Sequence, residues 1–179
     1  MIITKKDKIE ILGNAFSYIV IFAMFAYGAG KIVQFKNAVD ITKPVADMTG
    51  MELMWAFYGH SFAYVVVIGI LEITGGILML IKKTRIIGCL FVSAILINII
   101  LQDIFFGVNL GALKAAILYQ LLILIILWFN KEKLIQSIKF LYRSNKAEQS
   151  KNKLGVKLLL SLLLFVILRI TEYYITIKW

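Results

Sequence analysis

Long apolar blocks alternate with short basic segments along this chain. Five of the blocks have about 20 residues, which a helix rising about 1.5 Å per residue needs to cross about 30 Å of hydrocarbon. The pattern therefore predicts an all-α fold, a polytopic bundle of membrane helices. The five predicted spans cover residues 11–33, 62–81, 86–108, 112–129 and 154–177.

The longest connection on one side of these spans, residues 34–60, also carries a helix signal. Pro44 breaks any helix before it, and Thr49 with Glu52 forms the T-x-x-E pattern of a capping box. We expect a short helix near residues 50–59, lying at the membrane interface as an anchor; a lid over a substrate is the alternative. Its aromatic side chains suit the headgroup level: Trp55, Phe57 and Tyr58.

A second polar connection, residues 131–153, is rich in lysine. Its first part has the helical spacing of an amphipathic surface helix with a basic face, and its second part reads as a flexible linker. An ordinary positive-inside signal is the simpler interpretation; binding to anionic lipid or to an acidic partner is the other. The predicted organisation is a four-helix membrane domain over residues 1–130, this segment, and an additional span within residues 154–179.

Composition and charge fix the predicted orientation. The 179 residues are 61% hydrophobic and only 17% charged, and the formal net charge is +10. The cations lie between apolar blocks rather than on one face, so we expect no nucleic-acid partner. The amino terminus, the turn at residues 82–85 and the fourth connection are all basic. We therefore predict a multi-pass protein of the inner, cytoplasmic membrane, with its amino terminus in the cytoplasm and its carboxyl terminus outside.

Cysteine and histidine content limits the chemistry. Cys89 and His60 are the only residues of their types, so the sequence offers no thiol pair, no disulfide framework and no His–Cys metal site. Cys89 is expected in the core and His60 at the interface. No catalytic residues, no metal and no resident cofactor are predicted, and enzymatic activity of the chain alone is not expected.

Polar groups inside the spans are the candidate site. Counting about 1.5 Å per residue puts Glu72, Asn98, Gln120 and Arg169 near mid-membrane, and Lys31, Gln102, Asp103 and Glu172 nearer the outer face. An ionised carboxylate alone in hydrocarbon is costly, so Glu72 should be paired, hydrogen-bonded or protonated. Arg169 is the candidate counter-ion, and Lys31 is expected to snorkel or to meet Asp103. The candidate ligand or proton site is Lys31, Glu72, Asn98, Asp103 and Arg169.

Two interpretations of these groups remain open. As structural glue, they hold helices together, and Gly69, Gly75 and Gly76 would let a neighbouring helix approach Glu72 closely. As a functional site, they line a cavity for a ligand, a proton or a quinone head group. Glue is the favoured interpretation for the amides Asn98, Gln102 and Gln120, whereas Glu72 and Asp103 fit either.

The stretch from the aromatic segment through the third span resembles the DoxX-like membrane family. The likeness covers residues 11–129 as a four-helix unit, to which this chain adds the basic segment and a fifth span. The matching features, in order, are Tyr58-Gly59, Glu72, Gly75-Gly76, Lys83-Thr84-Arg85, Gly88 and Asn98.

The resemblance implies a small subunit of a larger assembly. Some DoxX-like proteins are associated with quinone-linked sulfur oxidation, and related folds look like chaperones or cargo receptors. We expect a non-catalytic subunit or assembly factor, with another membrane or periplasmic protein as partner, and therefore no sizeable internal cavity. The alternative is a subunit of a quinone-linked oxidoreductase, which predicts a cleft reaching Glu72 or Asp103 with Trp55, Phe57 or Tyr58 near its mouth. A transporter ranks last, because no inverted repeat is present.

Overall fold

A computed structural model describes residues 3–36, 38, 42–142 and 151–177. The described part of the chain is helical and contains no β-strand; the 3-10 turn Val45–Asp47 precedes the second helix. The α-helices are α1 (Lys5–Gln34), α2 (Gly50–His60), α3 (Phe62–Leu80), α4 (Arg85–Phe106), α5 (Leu110–Phe129), α6 (Lys131–Tyr142) and α7 (Lys151–Ile177).

Five of these helices are long and apolar enough to cross a membrane: α1, α3, α4, α5 and the Leu154–Thr176 part of α7. The sequence predicted these five segments within a few residues. Helix α1 begins earlier than its predicted span because Thr4 and Asp7 form a capping box that extends the helix into the polar segment. The predicted linker covers residues 144–153, of which 144–150 lie outside the described residues. Since α7 begins at Lys151, the end of that linker is helical.

The chain divides into two compact units, Met1–Ser137 and Ile138–Trp179. In the first unit, four helices close into a ring in which α1 packs on α3, α3 on α4, α4 on α5, and α5 back on α1. Large apolar side chains with no exposed surface fill the centre of this ring. They are Val20, Met24, Met79, Val92 and Ile123.

A close helix crossing joins α1 and α3 through two glycines. A Cβ atom on Gly28 would lie 2.7 Å from the carbonyl oxygen of Gly69, and one on Gly69 would lie 2.6 Å from the carbonyl oxygen of Gly28. The two backbones therefore touch, which only residues without a side chain permit. Lys31 and Glu72 each lie three residues beyond their glycine on antiparallel helices, so Glu72 lies beside Gly28 and Lys31 lies beside Gly69, one on either side of the crossing.

Polar contacts tie the start of α1 to the turn between α3 and α4. Lys82 pairs with Glu10 at 2.8 Å, and the guanidinium of Arg85 donates to Asn14 Oδ1 at 2.7 Å. Two of the basic segments in the sequence thus lie together at one end of the ring, the basic end. Helix α2 packs against α3 and α4 at the other end, the α2 end.

Candidate ligand-binding cleft

A cavity of about 690 Å³ opens at the α2 end of the first unit, between helices α1 to α5. This volume lies within the range of about 300–1,000 Å³ that small-molecule sites occupy. Aliphatic side chains form much of the wall. The polar side chains of the wall are Lys31, Gln34, Glu72, Asn98, Gln102, Asp103 and Asn109, and its aromatic side chains are Tyr27, Phe35, Trp55, Tyr58, Tyr64, Phe91 and Tyr119.

Glu72 of α3 is the deepest polar group in the cleft wall. Its side chain has no exposed surface, and the Lys31 ammonium lies 3.4 Å from Oε1. The contact is an ion pair whose alignment is too poor for a hydrogen bond, and neither oxygen of Glu72 has a hydrogen-bond partner among the described residues. Lys31 also lies 5.8 Å from the centre of the Phe35 ring, within cation–π range. Glu72 is therefore charge-compensated but keeps unused acceptor capacity.

Asp103 of α4 is the second buried acid of the wall. It is only 8% exposed, and its Oδ2 atom has no hydrogen-bond partner in the described part of the chain. Helix α4 ends shortly after it at Gly107, whose φ of 58° is the left-handed conformation that favours glycine. Gly50 lies against the carbonyl of Phe106, so the start of α2 packs tightly on the end of α4, one turn beyond Asp103.

Helix α2 starts at the predicted capping box. Thr49 Oγ1 accepts from the backbone N–H of Glu52, and Glu52 Oε2 accepts from the backbone N–H of Thr49 at 2.8 Å. A hydrogen bond from the Lys43 ammonium, together with these donors from Thr49, lowers the pKa of the Glu52 carboxyl to about 2. The cap fixes where α2 begins and therefore which of its side chains turn toward the cleft.

Aromatic packing positions the cleft side of α2. The Phe35 ring contacts Trp55 at 5.1 Å and Tyr58 at 4.8 Å between ring centres, and the Tyr58 hydroxyl donates to Gln102 Oε1 at 2.8 Å. Burial raises the pKa of Tyr58, so it remains a neutral donor. Trp55 and Tyr58 line the cleft as the alternative hypothesis predicted, whereas Phe57 is 57% exposed and is not part of the wall.

Four of the five predicted site residues meet in this one cleft: Lys31, Glu72, Asn98 and Asp103. The fifth, Arg169, lies in the second unit and pairs with Glu172 on its own helix. The expectation that Arg169 neutralises Glu72 is thus corrected, since Lys31 supplies that charge. The Gly28–Gly69 crossing explains the difference, because the close approach of the two backbones lets the long lysine side chain reach back past the crossing to the Glu72 carboxylate.

The amides do not behave alike. Gln102 lines the cleft and accepts from Tyr58, whereas Gln120 lies outside the wall and its Nε2 donates to Ser93 Oγ at 2.7 Å, joining α5 to α4. Gln120 has the helix-joining contact that the glue interpretation expected.

The sequence analysis missed several aromatic members of the wall, notably Tyr27, Phe35 and Tyr119. A signal was available for two of them, because Tyr27 and Phe35 lie four residues either side of Lys31 and so share its helical face. Among the described residues, no group of three or more His, Cys, Asp or Glu side chains lies close enough to hold a metal ion.

Comparison with known proteins gives one relevant similarity. No family model matches the chain, and no solved structure matches it. The uncharacterized protein YwoB of Bacillus subtilis (strain 168) is 31% identical over 120 residues, which is 66% of this chain and 76% of the relative's length.

Proposed function

The chain belongs to the same family as YwoB of Bacillus subtilis, and we propose that it is a membrane protein whose cleft binds a small lipophilic molecule. The observation that carries this proposal is the cavity of about 690 Å³ with two buried carboxylates in its wall. Ionisable groups inside a membrane are costly, and they persist where they serve a ligand, a proton or a partner group. The remaining wall is apolar and aromatic, which suits a molecule drawn from the bilayer.

The orientation follows from the basic segments. The basic end, with Lys82 and Arg85, lies at the cytoplasmic face, and the α2 end lies at the outer face. The cleft then occupies the outer half of the membrane, and its ligand enters from the outer leaflet or from the outer surface. Trp55 and Tyr58 lie near the headgroup level, where aromatic side chains with a polar edge are favoured.

The protein acts as a subunit rather than as a complete enzyme. Its sequence carries no nucleotide-binding motif and no thiol pair, so any electron transfer at the cleft requires a partner protein. Another membrane or periplasmic protein is the proposed partner. The resemblance to DoxX-like proteins supports this role and makes a quinone one candidate occupant of the cleft.

A second candidate function is that of a scaffold or assembly factor. The Gly28–Gly69 crossing and the Lys31–Glu72 ion pair favour it, because both hold α1 to α3. A purely structural role predicts a filled interior, however, and the volume of the cleft favours ligand binding. Glu72→Gln separates the two: a scaffold whose clasp is broken stops accumulating in the membrane, whereas a binding protein accumulates normally and loses its ligand.

Photolabelling in nanodiscs tests the binding proposal. The probe is an alkyl diazirine with a neutral alcohol head group, and labelled peptides are quantified by mass spectrometry while an unlabelled alcohol of the same chain length competes. We expect saturable labelling of the wall residues Leu71 and Phe91, and non-saturable labelling of Phe22, an exposed residue outside the wall.

A matched pair of variants completes this test. Ala94→Phe fills the cleft and should abolish the saturable labelling, whereas Ala63→Phe, at an exposed alanine outside the wall, should leave it unchanged. If wall residues label only in proportion to probe concentration, as Phe22 does, the cleft does not bind small molecules and the proposal is wrong.

A further inference from the structure

The polar end of the cleft has hydrogen-bond acceptors without donors. Oε1 and Oε2 of Glu72 and Oδ2 of Asp103 are buried and have no hydrogen-bond partner among the described residues. A buried acceptor that lacks a donor costs about 1–3 kcal/mol, and more when it is charged. Both residues belong to the cleft wall, but Glu72 has no exposed surface, whereas Asp103 keeps 8% of its surface exposed. Asp103 is therefore the acid that a molecule in the cleft is placed to reach.

The charges of the wall are also unequal. Its two acids face one lysine, and Lys31 pairs with Glu72. Asp103 forms no ion pair with any residue that the structure describes, within 4.0 Å between nitrogen and oxygen. With both acids ionised and Lys31 protonated, the polar end carries one uncompensated negative charge, located on Asp103.

The aromatic rings of the wall favour a cation as well. Trp55, Tyr58 and Phe35 form a cluster with ring centres about 5 Å apart on the α1 and α2 side of the cleft. Ring faces attract cations that come within about 6 Å, and this attraction is strongest where water is excluded. The Lys31 ammonium already lies at such a distance from Phe35.

We infer that the ligand is an amphipathic monovalent cation, a protonated amine whose N–H groups donate to the Asp103 carboxylate while its apolar part lies along the hydrocarbon wall. This inference rests on the proposed function and names the class of molecule that the cleft takes. An oxidised quinone presents only acceptors and would leave the carboxylate oxygens unpaired. A neutral alcohol supplies one donor but no charge, so it would satisfy Asp103 only in part.

The nanodisc photolabelling experiment, repeated with an amine head group, tests this inference. The alkyl diazirine amine and the alcohol of equal chain length are compared by the concentration that half-saturates labelling of Leu71, expressed as mole fraction in the bilayer. We expect the amine to half-saturate at a concentration at least about tenfold lower, which corresponds to about 1.4 kcal/mol. Decylubiquinone, added as a competitor, should displace the amine less well than the unlabelled amine does.

Variants at Asp103 identify the group that confers the preference. Asp103→Asn should bring the amine and the alcohol within about twofold of each other, and Asp103→Glu should keep the preference because it keeps the charge. Asp47→Asn, at an exposed acid of the 3-10 turn outside the cleft wall, serves as the matched control and should leave the preference for the amine unchanged.

Two outcomes on the wild-type protein overturn the inference without relying on any variant. Equal half-saturation by amine and alcohol, or tighter competition by decylubiquinone than by the amine, would show that the cleft does not select a cation. In both cases the saturable labelling itself persists, so the proposed binding function survives. Loss of saturable labelling with every probe would instead overturn the binding function.

Discussion

Replacing Gly28 with alanine should separate α1 from α3 and weaken the ion pair beside their crossing. The new Cβ would lie 2.7 Å from the Gly69 carbonyl oxygen and 2.8 Å from Cγ1 of Ile73, whereas ordinary contact begins near 3.4 Å. The side chain of Ile73 can rotate, but the backbone oxygen cannot. The helices must therefore move apart by about 0.7 Å at this point, the difference between the built and the ordinary contact.

The loss in free energy of unfolding has two parts. Overpacking of this kind costs about 1–3 kcal/mol. The same shift lengthens the Lys31–Glu72 distance from 3.4 Å to about 4.1 Å, which weakens the Coulomb attraction by about 1 kcal/mol at an effective dielectric constant of about 20. The expected loss in free energy of unfolding is therefore about 2–4 kcal/mol, or about 1–3 kcal/mol if the lysine side chain follows the shift and keeps its distance from Glu72.

Equilibrium unfolding by sodium dodecyl sulfate in mixed micelles, followed by circular dichroism, measures this loss. Gly30→Ala is the matched control, because Gly30 lies in the same helix and a Cβ there has no atom within 4 Å. The gain in helix propensity is common to both variants and cancels in the comparison. If Gly28→Ala and Gly30→Ala unfold alike, the backbone contact does not limit the α1–α3 packing and the argument fails.

Three further predictions concern contacts around the same helices. Lys31→Met should lower the free energy of unfolding by about 3–5 kcal/mol because it leaves the buried Glu72 carboxylate uncompensated. In a double-mutant cycle, adding Glu72→Gln to the same chain should recover part of that loss, and additive losses would contradict the ion pair. Lys43 and the cap lower the pKa of Glu52 from 4.5 to about 2, so the contribution of Glu52 to stability is present above pH 4.5 and is lost as the pH falls toward 2. The difference in melting temperature between pH 5 and pH 2.5 should therefore be smaller in Glu52→Gln than in the wild type. Equal differences in the two proteins would exclude this contribution. Ser93→Ala removes the hydroxyl that joins α4 to α5 and should cost about 0.6 kcal/mol in the unfolding assay; no measurable loss would mean that this bond adds nothing to stability.

The spans and the α2 helix could be predicted from sequence because their causes are local. Length and hydrophobicity determine whether a segment can cross a membrane, and the Thr49–Glu52 cap needs only a four-residue pattern. Helix α6 could be predicted for the same reason, since the amphipathic pattern that indicates it lies within 12 consecutive residues. None of these features depends on which helices are neighbours.

The partner of Glu72 could not be predicted in the same way. Pairing depends on which helices pack together and how each is rotated, and depth alone favoured Arg169 over Lys31. The deciding contact is the approach of Gly28 to Gly69, in which only the second glycine had been recognised as a packing residue. The cleft was harder still to predict from sequence, because five helices form it together and its aromatic residues look like ordinary membrane side chains.

The central claim, that the cleft at the α2 end holds a ligand, is tested most directly by an experimental structure. The protein should be purified in nanodiscs formed from its own membrane, without detergent exchange, and the map inspected between Glu72 and Asp103. We expect elongated non-protein density in the cleft, with its polar end within hydrogen-bond distance of the Asp103 carboxylate. A cleft closed by its own side chains, with both carboxylates paired to protein donors, would contradict ligand binding at this site.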